Sequence, residues 1–159
     1  MSELRVGIGV DAHAFSGAKP LVLAGVEFPG EAGLAGHSDG DVVAHALIDA
    51  LLGAANRGDI GSLFPTTDEW AGASSLDLLS RAYADVRAAG WTLVNADCVL
   101  IGERPRIAAR RDEMAAALAG WLGVGAARVS VRATTTDRLG FTGRGEGLAA
   151  QAVALLERA

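Results

Sequence analysis

An acidic residue and a histidine, Asp11 and His13, lie two positions apart at the end of the apolar run LRVGIGV. The run predicts a buried strand over residues 3–10. Side chains two positions apart in a strand face the same side of the sheet, so the carboxylate and the imidazole can reach one point together. Both groups are common ligands of zinc and related divalent ions. The spacing therefore indicates part of a metal site, although two solvated loop residues would also satisfy so short a pattern.

A third candidate ligand, His45, comes from a predicted helix over residues 41–56, DVVAHALIDALLGAAN. A single histidine on an apolar helix is most often a core or boundary residue. The chain has three histidines, however, and all lie in its first third near acidic residues. One acid and two histidines form a recurrent zinc-ligand set that leaves a fourth position open for a substrate. Asp49, one turn after His45, either hydrogen-bonds to that histidine and orients it, accepts a hydrogen bond from a substrate hydroxyl, or is an ordinary surface carboxylate.

Two glycine-rich loops carry groups that suit phosphate. The first, GHSDGD, holds His37 and Ser38 and leads into the predicted helix, whose free N–H groups favour an anion. The same pattern is typical of a loop in which Ser38 or Asp39 is the helix N-cap. The second, ATTTDRLGFTGRGEG, places Asp137 and Arg144 after a run of threonines, which suits phosphate and a second divalent ion. Threonine runs also favour strands on propensity alone.

Composition and missing motifs narrow the classes of function. A net charge of −5 without a basic cluster argues against nucleic acid or an anionic membrane as the main partner. Cys98, the single cysteine, is predicted to be a buried thiol, which suits a reducing cytoplasm. No secretory signal pattern and no apolar run of about 20 residues occurs, so we expect a cytoplasmic protein without a membrane span. The absence of nucleophile and nucleotide-binding motifs favours metal-assisted chemistry.

The remaining elements must bring these groups together. A second strand or hairpin is predicted at PLVLAGVEF, and WTLVNADCVLIGE and RVSVRATTT predict two more strands. A capping-box pattern, Ser74 with Asp77, opens a helix that Gly90 ends, and Pro105 begins another. LAAQAVALLER predicts a closing helix. The order β-β-α-α-β-α-β-α predicts one domain, residues 1–159, of the α+β class: two layers, with helices packed on one face of a mixed, mainly four-stranded sheet.

Three long blocks of the chain resemble the 2-C-methyl-D-erythritol 2,4-cyclodiphosphate synthases of the non-mevalonate isoprenoid pathway. The blocks are DAHAF, HSDGDVVAHALIDALLGAANRGDIGSLFP and ATTTDRLGFTGRGEG, and the likeness runs from Arg5 to the last predicted helix. The resemblance implies conversion of 4-diphosphocytidyl-2-C-methyl-D-erythritol 2-phosphate to the cyclic diphosphate with release of CMP. The substrate's own 2-phosphate would attack its β-phosphate, so the protein needs no serine or cysteine nucleophile.

The resemblance also implies roles for individual positions. Asp11, His13 and His45 correspond to the zinc ligands, and Asp137 to the ligand of a magnesium or manganese ion that comes with the substrate. His37 and Thr135 correspond to the pair that stabilises the transition state. The implied substrate-binding positions are Asp11, His13, His37, Ser38, Asp59, Ile60, Gly61, Phe64, Asp68, Pro105, Arg106, Thr134, Thr135, Phe141 and Arg144.

Three positions depart from the family pattern. Asp137 stands where the family usually has the longer Glu, so we expect it to bind the second cation through water or after a small backbone shift. Thr66 replaces a carboxylate in the loop FPTTD, and Arg106 stands where Lys is common.

The family forms homotrimers with active sites between subunits and a central apolar channel, and Arg144 and Glu146 correspond to charges at one channel end. Two other functions fit the residues. One is a phosphohydrolase that uses the same ligands to activate water. The other is a non-catalytic trimeric binding protein with a closed, four-ligand structural metal site.

Overall fold

The computed structural model describes residues 1–159, which form five strands and five α-helices, with short 3-10 turns at Asp68–Trp70, Ala108–Arg110 and Ala126–Arg128. The elements in chain order are β1 (Glu3–Leu23), β2 (Val26–Leu34), α1 (Val42–Ala54), α2 (Ile60–Leu63), α3 (Ser75–Ala88), β3 (Thr92–Ile101), α4 (Arg111–Leu122), β4 (Val129–Thr134), α5 (Gly140–Gly143) and β5 (Gly147–Arg158).

The five strands form one mixed sheet in the order β2-β1-β5-β3-β4. β3 and β4 are parallel, and the other neighbouring pairs are antiparallel. Helix α1 packs on β1 and β5, α4 packs on β4, and α3 packs on α1. The predicted mixed α+β fold is confirmed, whereas the predicted count of mainly four strands is wrong.

The fifth strand is the segment for which the sequence predicted a closing helix. LAAQAVALLER is rich in alanine and leucine, which favour helices. In the structure it belongs to β5, which pairs with β1 on one side and β3 on the other. Ala150, Ala152, Ala154 and Leu156 are buried with a period of two, whereas Gln151 between them is exposed. Backbone pairing on both edges and the space under α1 therefore override the local helix propensity.

The strand predicted at residues 3–10 forms, but its apolar side is not the buried one. Leu4, Val6, Ile8 and Val10 are exposed, with 58 to 69 % of their surface accessible. The opposite face of β1, which carries the buried residues Gly7 and Gly9, lies under α1. β1 also continues to Leu23, so Asp11 and His13 lie within the strand rather than after it.

The two glycines of β1 allow the backbone of α1 to lie directly on the strand. A Cβ atom added to Gly7 would overlap the carbonyl oxygen of Ala50, and one added to Gly9 would overlap that of Ala46. Neither glycine has a positive φ, so it is the space above the strand that requires them. This close approach fixes the height of α1 above β1.

Helix α1 is anchored by the buried carboxylate of Asp41. Its Oδ1 atom accepts the Ala44 N–H at 3.1 Å and the Ala24 N–H at 2.8 Å, and its Oδ2 atom accepts the Gly25 N–H at 2.7 Å. Asp41, and not Ser38 or Asp39, is therefore the N-cap. Burial raises the pKa of Asp41 to about 6, against the opposing effect of the N–H groups that it accepts.

Of the other two long helices, α3 begins after Ser74 as predicted but without the predicted capping bond, and α4 begins later than predicted. Ser74 is the N-cap of α3 but makes no side-chain capping bond, and Asp77 instead pairs with Arg81 at 3.0 Å, so the predicted capping box is wrong. The helix ends before Gly90, as predicted. α4 begins at Arg111 and not at Pro105, which lies in the preceding loop.

The core lies between the sheet and the helices. Its largest fully buried side chains include Trp91, Leu47 and Met114. Cys98 is fully buried there, as predicted, and burial raises the pKa of its thiol to about 12. None of the helices combines the length and the hydropathy needed to cross a membrane.

We expect Gly9→Ala to destabilise the protein by about 3 kcal/mol, since the added methyl group must displace the α1 backbone. The Cβ atom would also lie 2.8 Å from the Ala50 nitrogen. The free energy of unfolding in urea measures the effect. Gly125→Ala is the matched control, because nothing lies within 4 Å of a Cβ atom there and its φ of −65° suits alanine. Equal stability of the two variants would contradict the close helix–strand contact.

Candidate metal and phosphate site

Asp11, His13 and His45 meet at one point between β1 and α1. The Asp11 Oδ2 atom lies 2.7 Å from His13 Nε2 and 3.1 Å from His45 Nδ1, and the two ring nitrogens are 3.2 Å apart. Asp11 and His13 come from one face of β1, and His45 comes from the first turns of α1. Three potential ligand atoms in such a cluster could hold a metal ion.

The electrostatics of this cluster favour a cation. Burial raises the pKa of Asp11, but the hydrogen bond from His13, followed by the contact with His45, outweighs burial and lowers that pKa to about 2. The hydrogen bond to Asp11 raises the pKa of His13 above its ordinary value, against the effect of burial. Asp11 is therefore a carboxylate throughout the physiological range, and the positive charge that it attracts can be a proton or a metal ion.

The other ring nitrogen of His45 is hydrogen-bonded to two serine hydroxyl groups on the side away from the cluster. His45 Nε2 lies 2.8 Å from Ser75 Oγ at the start of α3 and 3.0 Å from Ser38 Oγ. Ser75 is fully buried, and its hydroxyl bonds to the carboxylate of Asp39. The ring therefore presents Nδ1 to the cluster and Nε2 to a network of hydroxyl groups.

The loop that carries His37 and Ser38 is tied down by a lysine of β1. Lys19 Nζ donates to the carbonyl oxygens of Gly36, at 2.7 Å, and Ser38, at 2.6 Å. His37 Nε2 lies 2.6 Å from the carbonyl oxygen of Thr67, which can only accept, so this nitrogen carries a proton. The imidazole of His37 thus points toward the loop that follows α2 and not into the three-residue cluster.

The cluster opens into a cleft of about 220 Å³. The residues that line it are Asp11, His13, His37, Ser38, His45, Ile60, Gly61, Phe64, Thr66, Trp70 and Leu78. Eight of these are among the predicted site residues. The aromatic rings of Phe64 and Trp70 meet edge to face, with 5.0 Å between their centroids.

Asp49 positions the predicted substrate-binding residues Asp59–Gly61, here called the DIG segment, and does not bond to His45. Its Oδ1 atom accepts the N–H of Ile60 at 2.7 Å. Asp59 caps the short helix α2 by accepting the Ser62 N–H at 2.8 Å. Burial raises the pKa of Asp49. The predictions of Asp49 as a partner of His45 and as a surface residue are therefore wrong, and its bond to a substrate hydroxyl stays a prediction.

Four other predicted residues line a second cleft, of about 350 Å³, between the loop before α4 and the end of β4. They are Pro105, Arg106, Thr134 and Thr135. This cleft shares no lining residue with the first one. Within one chain, the predicted catalytic partners His37 and Thr135 therefore belong to different clefts.

The last predicted residues lie on exposed segments outside both clefts. Asp137 has a left-handed backbone with φ of 51°, and its Oδ1 atom accepts from the Thr135 hydroxyl at 3.4 Å. Phe141 is exposed on α5, and Arg144 pairs with Glu146 at 3.0 Å. Asp68 is exposed at the start of the 3-10 turn after α2. The structure does not bring these four side chains to the cluster within the chain.

Sequence reasoning missed several residues of the site. Lys19 and Ser75 contact the His37 loop and His45, but no motif singled them out. Trp70 and Leu78 line the cleft from a loop and from α3. Asp39 was considered only as a helix cap. Contacts of this kind join segments that are far apart in the chain, so spacing carries no signal for them.

Comparison with known proteins places this geometry in a family. The model of the YgbB family matches residues 4–157. The chain belongs to that family. It is 59 % identical over 163 residues to the 2-C-methyl-D-erythritol 2,4-cyclodiphosphate synthase of Rubrobacter xylanophilus, covering 100 % of this chain and 98 % of the relative.

Two solved structures share the fold. The bifunctional IspDF of Campylobacter jejuni matches with a TM-score of 0.96 at 42 % identity, covering 100 % of this chain and 43 % of that protein. IspF of Plasmodium falciparum, in its CDP complex, matches with a TM-score of 0.86 at 28 % identity, covering 98 % of this chain and 96 % of that one.

We expect His45→Ala to abolish stoichiometric binding of a divalent ion, because the substitution removes one of three converging ligands. Zinc titration of purified protein measures the effect. His37→Ala is the matched control: the same change in a histidine whose Nε2 atom bonds to Thr67 outside the cluster should leave zinc affinity unchanged. Undiminished zinc binding by His45→Ala, or equal losses in both variants, would contradict the assignment of the cluster.

Proposed function

We propose that this protein converts 4-diphosphocytidyl-2-C-methyl-D-erythritol 2-phosphate to 2-C-methyl-D-erythritol 2,4-cyclodiphosphate and CMP, a step in isoprenoid-precursor synthesis. The observation that carries the proposal is the Asp11–His13–His45 cluster in a chain that matches synthases along its full length. An oxygen of the 2-phosphate attacks the β-phosphorus, the bond from that phosphorus to the bridging oxygen breaks, and CMP leaves with the oxygen. No water is consumed. The lone buried Cys98 suits the cytoplasm as its compartment.

The cluster suits zinc with one position left for substrate. A tetrahedral zinc ion with bonds of about 2.0–2.1 Å separates its ligand atoms by about 3.3 Å. The three separations here are 2.7, 3.1 and 3.2 Å. Zinc bound by Asp11, His13 and His45 supplies Lewis-acid polarisation of a phosphate oxygen. Because the cleft side of the cluster carries no fourth ligand, the arrangement argues against a closed structural metal site.

The surrounding residues position phosphate and stabilise charge. Ser38, beside the N-terminus of α1, offers its hydroxyl to phosphate oxygens. His37 and Thr135 stabilise the charge that builds up on the transferring phosphoryl group. Asp137 holds the second divalent ion, magnesium or manganese, that arrives with the diphosphate. Holding both phosphates in line supplies much of the rate enhancement in a reaction of this type.

Separate segments recognise the two ends of the substrate. Asp59, Ile60 and Gly61 contact the methylerythritol group beside the zinc cluster, and the loop with Phe64 and Asp68 covers it. Pro105, Arg106 and Thr134, around the second cleft, contact the cytidine monophosphate group, with further contacts from Phe141 and Arg144. The fixed position of the DIG segment, held by the bond from Ile60 N–H to Asp49, supports the first assignment.

We propose a homotrimer in which each active site joins the zinc cleft of one subunit to the cytidine cleft of the next. The absence of shared lining residues between the two clefts supports this arrangement, because one substrate must reach both. The bare outer face of the sheet supports it too. Val6 is paired with Leu155 and Ile8 with Val153, so the exposed apolar side chains of β1 and β5 form one continuous stripe. Stripes of this kind mark association surfaces.

We expect Ile8→Glu to convert the trimer to monomers, since it buries a charge in the proposed interface. Native mass spectrometry at several protein concentrations measures the assembly. Trp121→Glu makes the same apolar-to-acidic change on the exposed side of α4 and should leave the trimer intact. Monomeric wild-type protein, or an unchanged trimer in Ile8→Glu, would reject this interface.

With zinc and magnesium, the protein should release one CMP for each cyclic diphosphate formed. Carrying out the reaction in ¹⁸O-labelled water, with mass spectrometry of the products, distinguishes cyclisation from hydrolysis. Cyclisation leaves the product unlabelled because the attacking oxygen comes from the substrate. An open-chain diphosphate that carries ¹⁸O would instead establish the phosphohydrolase reaction.

A further inference from the structure

Two side chains that take no part in the proposed reaction, Asp39 and Ser75, lie behind His45 on the side away from the cleft. Ser75 is fully buried and Asp39 is partly buried. The Asp39 carboxylate accepts the Ser75 backbone N–H at 2.9 Å and the Asp41 N–H at 3.1 Å, and it also bonds to the Ser75 hydroxyl. Because three donors converge on this one carboxylate, its position and that of the Ser75 hydroxyl are fixed.

The protons in this chain of hydrogen bonds can be assigned from donor capacity alone. A carboxylate can only accept, so the single hydroxyl proton of Ser75 is donated to Asp39. The Ser75 Oγ atom can then only accept from His45 Nε2, which lies 2.8 Å away. His45 Nε2 therefore carries the ring proton. In a neutral imidazole the other nitrogen, Nδ1, then has a lone pair. Nδ1 lies 3.1 Å from Asp11 Oδ2 and 3.2 Å from His13 Nε2. His13 Nε2, only 2.7 Å from the same carboxylate oxygen, is the nearer donor to Asp11, so a proton on His13 Nε2 satisfies both Asp11 and the Nδ1 lone pair.

We propose that Asp39 and Ser75 are positioning residues that hold His45 in the Nε2–H tautomer and thereby present Nδ1 as a metal ligand. The inference deepens the proposed function, since it rests on the metal-binding role of His45. Partners of this kind fix the ring orientation and tautomer of metal-binding histidines, and their loss lowers metal affinity. Here the series of hydrogen bonds runs from Asp39, in the loop before α1, through Ser75, the first residue of α3, to His45 in α1.

Ser38 explains why the Asp39–Ser75 pair is needed. Its hydroxyl lies 3.0 Å from His45 Nε2 and 3.4 Å from Ser75 Oγ, and it can act as donor or acceptor toward the ring. No carboxylate fixes the direction of its proton. Without the Ser75 hydroxyl, Ser38 is free to donate to Nε2 and so to favour the tautomer with a proton on Nδ1, which cannot bind a metal.

The test measures the tautomer and the metal affinity separately. ¹⁵N-histidine NMR of metal-free protein, at a pH where His45 is neutral, reports which ring nitrogen carries the proton. We expect Nε2–H in the wild type and a shift toward Nδ1–H in Ser75→Ala and Asp39→Asn, together with zinc binding weakened by about 10- to 100-fold. Ser75→Thr, which retains the hydroxyl, should keep the Nε2–H tautomer of the wild type. If Ser75→Ala fails to fold, Asp39→Asn alone provides the test.

Ser74→Ala is the matched control. It makes the same change one residue earlier, in an exposed side chain with no capping bond, and should alter neither readout. An Nδ1–H tautomer in the wild type, or an unchanged tautomer in both Ser75→Ala and Asp39→Asn, would overturn the proposal even if zinc affinity fell. If the wild type binds no zinc, the proposed function fails, while the tautomer measurement still decides the role of Asp39 and Ser75.

Discussion

Helix α1 rests on β1 backbone to backbone, and the other features of this protein depend on that contact. Gly7 and Gly9 leave no side chain between strand and helix, so the carbonyl groups of Ala46 and Ala50 lie directly above the strand. At this separation His45, in the same helix, reaches the next two residues on the glycine face of β1, Asp11 and His13. A larger residue at either glycine would lift the helix and separate the ligands. The buried alanines of β5 extend the same shallow surface beneath α1.

One strand therefore serves two purposes on its two faces. The inner face of β1 carries Gly7 and Gly9 under α1 and continues with Asp11 and His13, which contribute to the cluster. The outer face carries Val6 and Ile8, which are exposed in the single chain and continue into the stripe of β5. Because strand side chains alternate, the spacing that aligns the metal ligands also aligns the apolar residues on the opposite side.

Buried and partly buried acidic residues fix the segments around the cluster. Asp41 holds the start of α1 to the turn between β1 and β2, Asp49 holds the DIG segment to α1, and Asp39 holds the start of α3 through Ser75. Each accepts backbone N–H groups, so each carboxylate is compensated by hydrogen bonds at the place where two segments meet. A site built on such contacts is positioned before any ligand arrives, which favours reactions that rely on alignment of phosphates.

The sequence by itself determined the ligand types and their local spacing. Asp11 and His13 share a face because strands alternate, and the helix carrying His45 follows from its apolar periodicity. The sequence did not determine that the apolar face of β1 is the exposed one, or that the alanine-rich segment Gly147–Arg158 is a strand. Both features result from contacts with the neighbouring strands and with α1. Only the tertiary structure decided that His45 meets Asp11 and His13, and that Ser75, Asp39 and Lys19 support them. Those contacts join positions as far apart as 36 residues, and local pattern carries no information about distances in space.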